Sequence, residues 1–213
     1  MADSSLVLGT TNPGKLRELR ELLDPHGIEC VSLAGLAGTV DVEETGDSFA
    51  ANAALKATQQ AVALGRWVLA EDSGLVVDAL GGAPGIHSAR FSGPVPPGAR
   101  DTVDARNNAL LLERLAARPP AERRAHYACH AALADPADRV VAVSSGACHG
   151  VIATDRRGAA GFGYDPLFIV PEYHRTFGEL APAVKAVISH RGRAMRALLP
   201  AIVAHLAGIR PAG

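Results

Sequence analysis

The sequence lacks any apolar run approaching the roughly 18 to 20 residues needed to cross a bilayer. Its first fifteen residues, MADSSLVLGTTNPGK, hold only a short apolar stretch before turning polar. A cytoplasmic protein with no membrane partner is therefore expected. A basic surplus is missing too. The formal net charge is −1, with Arg and Lys spread along the chain, so the electrostatic footprint of a protein that grips a nucleic acid polymer is absent. A small anionic ligand stays open, since a few placed cations suffice for one. Cysteine is scarce: Cys30, Cys129 and Cys148 are odd in number and have no CxxC spacing, which fits idle thiols in a reducing compartment better than a disulfide or zinc site. His126, His130 and His149 lie near two of these cysteines, but on stretches that read as strands and without metal-type spacing.

Lysine is the scarcest charge. Of the 21 cationic residues only Lys15, Lys56 and Lys185 are lysines. Two accounts stand: Arg-biased codon usage with chance placement, or a need for a compact ammonium on a flexible stem beside phosphate oxygens.

What is present is a chain of 213 residues, 48% hydrophobic and 20% charged, long enough for one substantial core or two small lobes. Leu6 to Leu8 reads as a strand running into the polar loop Gly9 to Gly14, followed by leucines at helical spacing from Leu16. Asn12 and Pro13 supply a cap and a first helical residue. Cys30 to Leu33 is a second strand. Asp47 or Thr45 can cap an alanine-rich helix from about Ser48 to Leu64, closed by Gly65. Trp67 to Ala70 forms a third strand ending at Glu71 and Asp72, and Leu75 to Leu80 continues extended. Residues 81–94 are rich enough in Gly and Pro to read as loop. A helix is expected from about Asp101 to Ala117, ended by Pro119 and Pro120. His126 to Ala134 and Val140 to Val151 read as an antiparallel hairpin. Leu167 to Val170 is a strand, and 181–207 is mainly helical with Pro200 breaking or kinking it. There are no repeats and no low-complexity linker, so 1–213 is expected to be one domain. The fold class is α/β: a mixed central sheet flanked by helices, in two lobes around a substrate cleft.

Three groups of residues carry chemistry. GlyThrThrAsnProGlyLys at 9–15 matches a phosphate-binding P-loop up to its lysine, and then fails. Leu16 stands where that motif needs a hydroxyl for magnesium. Hydroxyls, an amide and backbone N–H groups at a helix N-terminus, with Lys15 one turn in, still favour phosphate; a plain capped turn is the alternative. GluGluThrGly at 43–46 and GluAspSerGly at 71–74 offer hard oxygen ligands of the kind magnesium takes, or else simple caps and solvated turns. PheGlyTyrAspPro at 162–166 and LysAlaValIleSerHisArg at 185–191 offer an aromatic to stack on a base and donors for its edge, unless Phe162 and Tyr164 are tucked into the core.

In this order, and together with AsnAlaAlaLeuLysAla at 52–57, the GlyGlyAlaProGlyIleHisSerAlaArgPheSerGly segment at 81–93 and IleSerHisArg at 188–191, the motifs resemble the inosine and xanthosine triphosphate pyrophosphatases, the Ham1-like family. The resemblance covers nearly the whole chain. It implies an α/β subunit with a mixed sheet and a cleft, usually a homodimer, that hydrolyses nucleoside triphosphates with damaged purine bases (ITP, dITP, XTP) to monophosphate and diphosphate. It implies further that Thr10, Thr11, Asn12, Pro13, Gly14, Lys15 and Ser73 cradle the triphosphate, with Lys56 as another phosphate contact. Glu44 and Asp72 would bind Mg2+, and Asp72 would activate the attacking water. Phe162, Gly163, Tyr164 and Asp165 would enclose the base, and Lys185, His190 and Arg191 would complete the purine pocket. Two departures stand out: Glu71 replaces the second Asp of many members, and Ala51 replaces an acid before Asn52. Glu71 is therefore not expected to bind metal directly. A pyrophosphatase for modified pyrimidines, a P-loop-like phosphotransferase and a non-catalytic nucleotide sensor are the competing readings; the last is disfavoured because both Glu44 and Asp72 are present.

Overall fold

Strand and helix alternate through the first half of the chain and then give way to long neighbouring strands. In the computed structural model, which describes residues 5–94 and 98–206, β1 (Leu6–Leu8) is followed by α1 (Pro13–Leu23), β2 (Cys30–Ser32), α2 (Phe49–Leu64), β3 (Val68–Val77) and α3 (Arg100–Arg114). Then come β4 (Arg124–Asp135), β5 (Arg139–Ile152), β6 (Phe168–Val170), β7 (Arg175–Thr176), α4 (Pro182–Ile188) and α5 (His190–Leu206). The strands form one sheet in the order β2-β1-β3-β4-β5-β6-β7. β1 pairs in parallel with β2 and β3, whereas β6 pairs antiparallel with β5 and β7. The mixed α/β sheet flanked by helices is thus as expected.

The chain groups into two compact units. One takes the residues up to Asp72, Cys129–Gly146 and those from His190 onward; the other takes Ser73–Ala128 and Ala147–Ser189. In the first unit the period of two along each strand sorts side chains onto opposite faces. Leu6, Leu8, Leu69 and Cys129 pack with Leu19 and Leu23 of α1 and with Met195, Leu198 and Ile202 of α5. Val7, Val68, Ala70 and Ala132 face the other way, onto Ala53, Ala57 and Ala61 of α2. In the second unit Leu75, Leu111, Tyr127, Phe168 and Phe177 form the core. The buried Arg123 there spends its guanidinium on the carbonyls of Leu115, Ile152 and Ala153, at 2.8, 2.9 and 2.8 Å.

Several boundaries differ from those read in the sequence. β3 does not stop at Glu71 and Asp72 but carries both in its interior. The cap of α2 is Ser48, in extended conformation with its hydroxyl accepting from Ala51 N–H at 3.3 Å, not Asp47 or Thr45. α3 ends at Arg114, ahead of the proline pair. Residues Gly85–Arg90, inside the glycine-rich loop, form a 3-10 turn. The C-terminal helix is divided at the extended residue Ser189, while α5 runs on through Pro200. Pro200 is exposed, so the carbonyl it deprives of a partner can turn to water. Position 207 lies outside the described residues.

Candidate active site

At the end of β1 the chain turns on Gly9, whose N–H donates to the Leu69 carbonyl at 2.7 Å. A Cβ there would meet Ala70 Cβ at 2.8 Å, so the close approach of two strands requires glycine. Asn12 caps α1: its Oδ1 accepts from Gly14 and Lys15 N–H at 2.9 and 3.2 Å, and Pro13 opens the helix as expected. The Thr10 hydroxyl accepts from Asn12 N–H at 3.2 Å. Thr10, Thr11 and Lys15 are thereby gathered at the positive end of α1. The Asn12 side chain is engaged in holding that end together.

The acidic segments converge through α2. Asn52, Lys56 and Gln60 follow one another at i, i+4 and i+8 and so share a face. Gln60 brackets Val40, accepting from its N–H at 3.3 Å and donating to its carbonyl at 2.6 Å. Asn52 accepts from Gly46 N–H at 2.8 Å and donates to Asp72 Oδ2 at 3.3 Å. Between them Lys56 Nζ reaches Glu44 Oε1 at 2.8 Å and Asp72 Oδ1 at 3.0 Å. Two carboxylates from separate segments thus point at one cation. Burial raises the Asp72 pKa above the ordinary aspartate value, against the pull of Lys56 and Lys15 and with the help of the Glu44 charge. For Lys56, burial favours the neutral amine, but Asp72 and then Glu44 outweigh it and its pKa is raised. The two directions are compatible, because two carboxylates share one ammonium and keep one net negative charge.

Glu71, one residue before Asp72, points to the opposite face. Its Oε1 accepts from Lys15 Nζ at 3.2 Å and from Arg191 Nε and Nη2 at 3.2 and 3.0 Å. The Arg191 Nη1 pairs with Glu18 of α1, and the buried thiol of Cys129 lies 3.5 Å from Glu71 Oε2. Burial disfavours the Arg191 charge, yet Glu71 and Glu18 more than offset it and push its pKa up. The Cys129 pKa is raised well above the ordinary thiol value, first by burial and then by the Glu71 charge. His190 is buried at the start of α5, beside Arg191.

The aromatic loop belongs to the second unit. Asp165 folds back on it, with Oδ2 accepting from Phe162 N–H at 2.9 Å and pairing with Lys185 Nζ. Gly161, at φ +79°, leaves no room for a side chain: a Cβ would lie 1.9 Å from Asp165 Oδ2. The Lys185 ammonium sits 5.1 Å from the Phe162 ring centroid and 5.4 Å from that of Phe177, within cation–π reach. Gly163 is gripped at both peptide poles by α3. Its N–H donates to Asp104 Oδ2 and its carbonyl accepts from Asn108 Nδ2, each at 2.8 Å. Tyr164 faces inward, 3% exposed, with its hydroxyl donating to the Ser88 carbonyl at 2.9 Å. Burial, then Asp104, raises its pKa. Phe162 and Gly163 are half-buried, as is Ser73 on β3.

The profile of the Ham1 family matches residues 6–201. The chain belongs to the Ham1 family. A Rhodopirellula baltica protein named dITP/XTP pyrophosphatase is 52% identical over 198 residues, covering 93% of this chain and 92% of that protein. Among solved structures, a HAM1 protein from Coxiella burnetii superposes with TM-score 0.81 at 38% identity, covering 93% of this chain and 98% of its own. A dITP/XTP pyrophosphatase from Mycobacterium abscessus superposes with TM-score 0.71 at 42% identity, covering 92% and 99%.

In this Ham1 chain the structure brings Glu44, Lys56 and Asp72 into contact, ties Lys15 to Arg191 through Glu71, and joins Phe162, Asp165 and Lys185. Lys185 and Arg191, grouped together from the sequence, have separate carboxylate partners. Sequence reasoning missed Asn52, which ties the Glu44 segment to Asp72, and the Asp104 and Asn108 pair that holds Gly163. Spacing was the available signal: Asn52 and Asp104 each precede a second polar residue by four positions, the interval that places both on one helix face. Glu71 lacked even that, since its partners lie at positions 15, 129 and 191.

Proposed function

We propose that this Ham1 chain hydrolyses nucleoside triphosphates bearing hypoxanthine or xanthine, ITP, dITP and XTP, to the nucleoside monophosphate and diphosphate, with Mg2+ as cofactor. The observation that supports this best is the approach of Glu44 Oε1 and Asp72 Oδ1 to a single cation at 2.8 and 3.0 Å. Two carboxylates with one net negative charge between them are a donor set of the kind magnesium takes, the rest of its shell being water and phosphate oxygens. When bound, magnesium neutralises phosphate charge and makes a nearby water more acidic.

The rest falls to the chain's own residues. Lys15, at the positive end of α1, and Lys56 face the triphosphate and offset the charge that builds on the leaving diphosphate. Thr10, Thr11 and Ser73 contribute hydroxyls. Asp72 takes the proton of the water that attacks the α-phosphorus. In the second unit the half-buried Phe162 offers a stacking face, and Lys185 is the donor for the base. A donor aimed at O6 meets the keto group of hypoxanthine and xanthine and finds no acceptor on adenine. Unpaired buried polar groups make such rejection strong, on the order of 10⁴-fold in favourable cases. The family reading also carries a cytoplasmic homodimer, which light scattering of the purified protein checks for its oligomeric part.

The test is diphosphate release from ITP, XTP, dITP, ATP and GTP with magnesium, in the wild type and in Asp72→Asn. Rapid release from the keto-purines, abolished in the variant, is expected. Near-normal rates in Asp72→Asn would remove Asp72 from its role, and orthophosphate release or equal rates on ATP would overturn the reaction and the base class.

A further inference from the structure

Lys56 stands where the metal charge is wanted. Its ammonium bridges Glu44 Oε1 and Asp72 Oδ1 at 2.8 and 3.0 Å, and these are the two carboxylates that the reading above gives to magnesium. An ammonium and a divalent cation that both sit against these two oxygens repel each other strongly at such distances. We propose that Lys56 is a displaceable internal counter-cation: without nucleotide it offsets half the charge of the Glu44–Asp72 pair and competes with magnesium, and it releases the pair by moving to a phosphate oxygen. Metal and triphosphate therefore bind as one linked event. This rests on the magnesium reading.

Three features of the surroundings suit an exchange of this kind. The Lys56 side chain is 15% exposed and that of Glu44 26%, so solvent reaches the pair and the ammonium can swing on its flexible stem. Asp72 is also held by Asn52 through Oδ2, at 3.3 Å, an oxygen separate from the one Lys56 bonds. The Glu44 segment is likewise held by Asn52 at Gly46 N–H, 2.8 Å, and by Gln60 at Val40. The two carboxylates therefore stay in place when the lysine leaves. The arrangement does the work of a gate on the metal. Free magnesium meets a pair whose charge is already half offset and whose inner oxygens are occupied by an ammonium, whereas magnesium arriving with a triphosphate brings the anion that draws Lys56 away. By reciprocity the metal must then tighten nucleotide binding by the same factor that the nucleotide tightens metal binding.

The experiment is a calorimetric titration of the nucleotide-free protein with MgCl2, repeated in the presence of an α,β-methylene triphosphate analogue that cannot be cleaved. It compares the wild type with Lys56→Met, which keeps the stem and removes the charge, and with Lys56→Gln should the first variant not fold. Lys56→Met is expected to bind magnesium alone at least tenfold more tightly than the wild type. The analogue is expected to raise magnesium affinity strongly in the wild type and much less in the variant. Equal or weaker binding of magnesium alone in Lys56→Met overturns the proposal while leaving the magnesium reading intact. Adding Glu44→Gln or Asp72→Asn to Lys56→Met is expected to abolish the tighter binding. If the gain survives both additions, the metal is not on these carboxylates, and the magnesium reading falls together with the proposal.

Discussion

Replacing Glu71 by Gln should destabilise the protein by several kcal/mol, because it removes the charge at the centre of a buried ion-pair network. Glu71 and Arg191 have side chains only 0% and 2% exposed, and one oxygen of Glu71 accepts from Arg191 Nε, Arg191 Nη2 and Lys15 Nζ, all within 3.2 Å. Removing one partner of a buried ion pair costs about 3–5 kcal/mol, because the other charge is left uncompensated in a low dielectric. Here Glu18 keeps its hold on the Arg191 guanidinium, and the Gln amide can still accept one hydrogen bond. The lower end, about 3 kcal/mol, is therefore expected. For a chain of this size that corresponds to a fall of about 6–12 °C in Tm.

Differential scanning fluorimetry and urea titration at neutral pH measure the effect. A loss below about 1 kcal/mol would refute the reasoning, since the loss of the carboxylate shared by a buried guanidinium and the Lys15 ammonium is not compatible with so small a cost. Glu71→Gln combined with Arg191→Met supplies an internal check. With both charges gone, the double variant should lose less than the sum of the singles, by about 1–3 kcal/mol of coupling. Glu71→Asp, which keeps the charge one methylene short, should fall between wild type and Glu71→Gln.

Asn108→Ala removes one of the two holds on the Gly163 peptide, a loss of about 1–2 kcal/mol; on the proposed function it should raise KM for dITP about 5- to 30-fold with a smaller change in kcat, and an unchanged KM would count against the clamp. Gly161→Ala should disrupt the same loop, because φ is +79° and the new Cβ would collide with Asp165 Oδ2 at 1.9 Å; loss of folded protein, or shifted and broadened Phe162 ring resonances by NMR, is the readout, and unchanged spectra would contradict it. The folded-state pKa of Lys56 lies above the ordinary 10.5, so its stabilising contribution is complete below pH 10.5 and is lost as pH rises through the raised value. The urea midpoint of the wild type should accordingly fall through that alkaline range by more than that of Lys56→Met, and parallel curves would argue against it.

Much of the first half of the fold is legible because its signals are local. Asn12 with Pro13, and Gly65 after an alanine-rich stretch, announce helix ends by their own conformational preferences. The full length of β3 is not legible locally because Glu and Asp are depleted in strands, and nothing local says that both have cationic partners. Those partners come from positions 15, 56 and 191, and only the folded chain brings them to β3. The break at Ser189 was hidden for the same kind of reason. Pro200 is the stronger breaker on paper, but it is exposed, and a helix tolerates the lost bond where water can replace it. Within the candidate site, the motifs picked out residues such as Glu44, Lys56 and Asp72 that the fold brings into contact, but not the pairing, which depends on strand alternation and on which helix covers which face.

The scarcity of lysine bears on that pairing. Each of the three lysines carries its ammonium to a carboxylate in a site segment: Lys15 to Glu71, Lys56 to Glu44 and Asp72, Lys185 to Asp165. Chance placement among 21 cationic positions gives no reason for all three to do so. The physical difference between the side chains does. Arg191 sits in the most buried pair, where a planar fork meeting two carboxylates makes a permanent joint. Lys56, half-buried between two carboxylates, sits where a compact charge on a flexible stem can change partners. β3 separates the two tasks by one residue: Glu71 on one face anchors what must stay, and Asp72 on the other holds what must exchange.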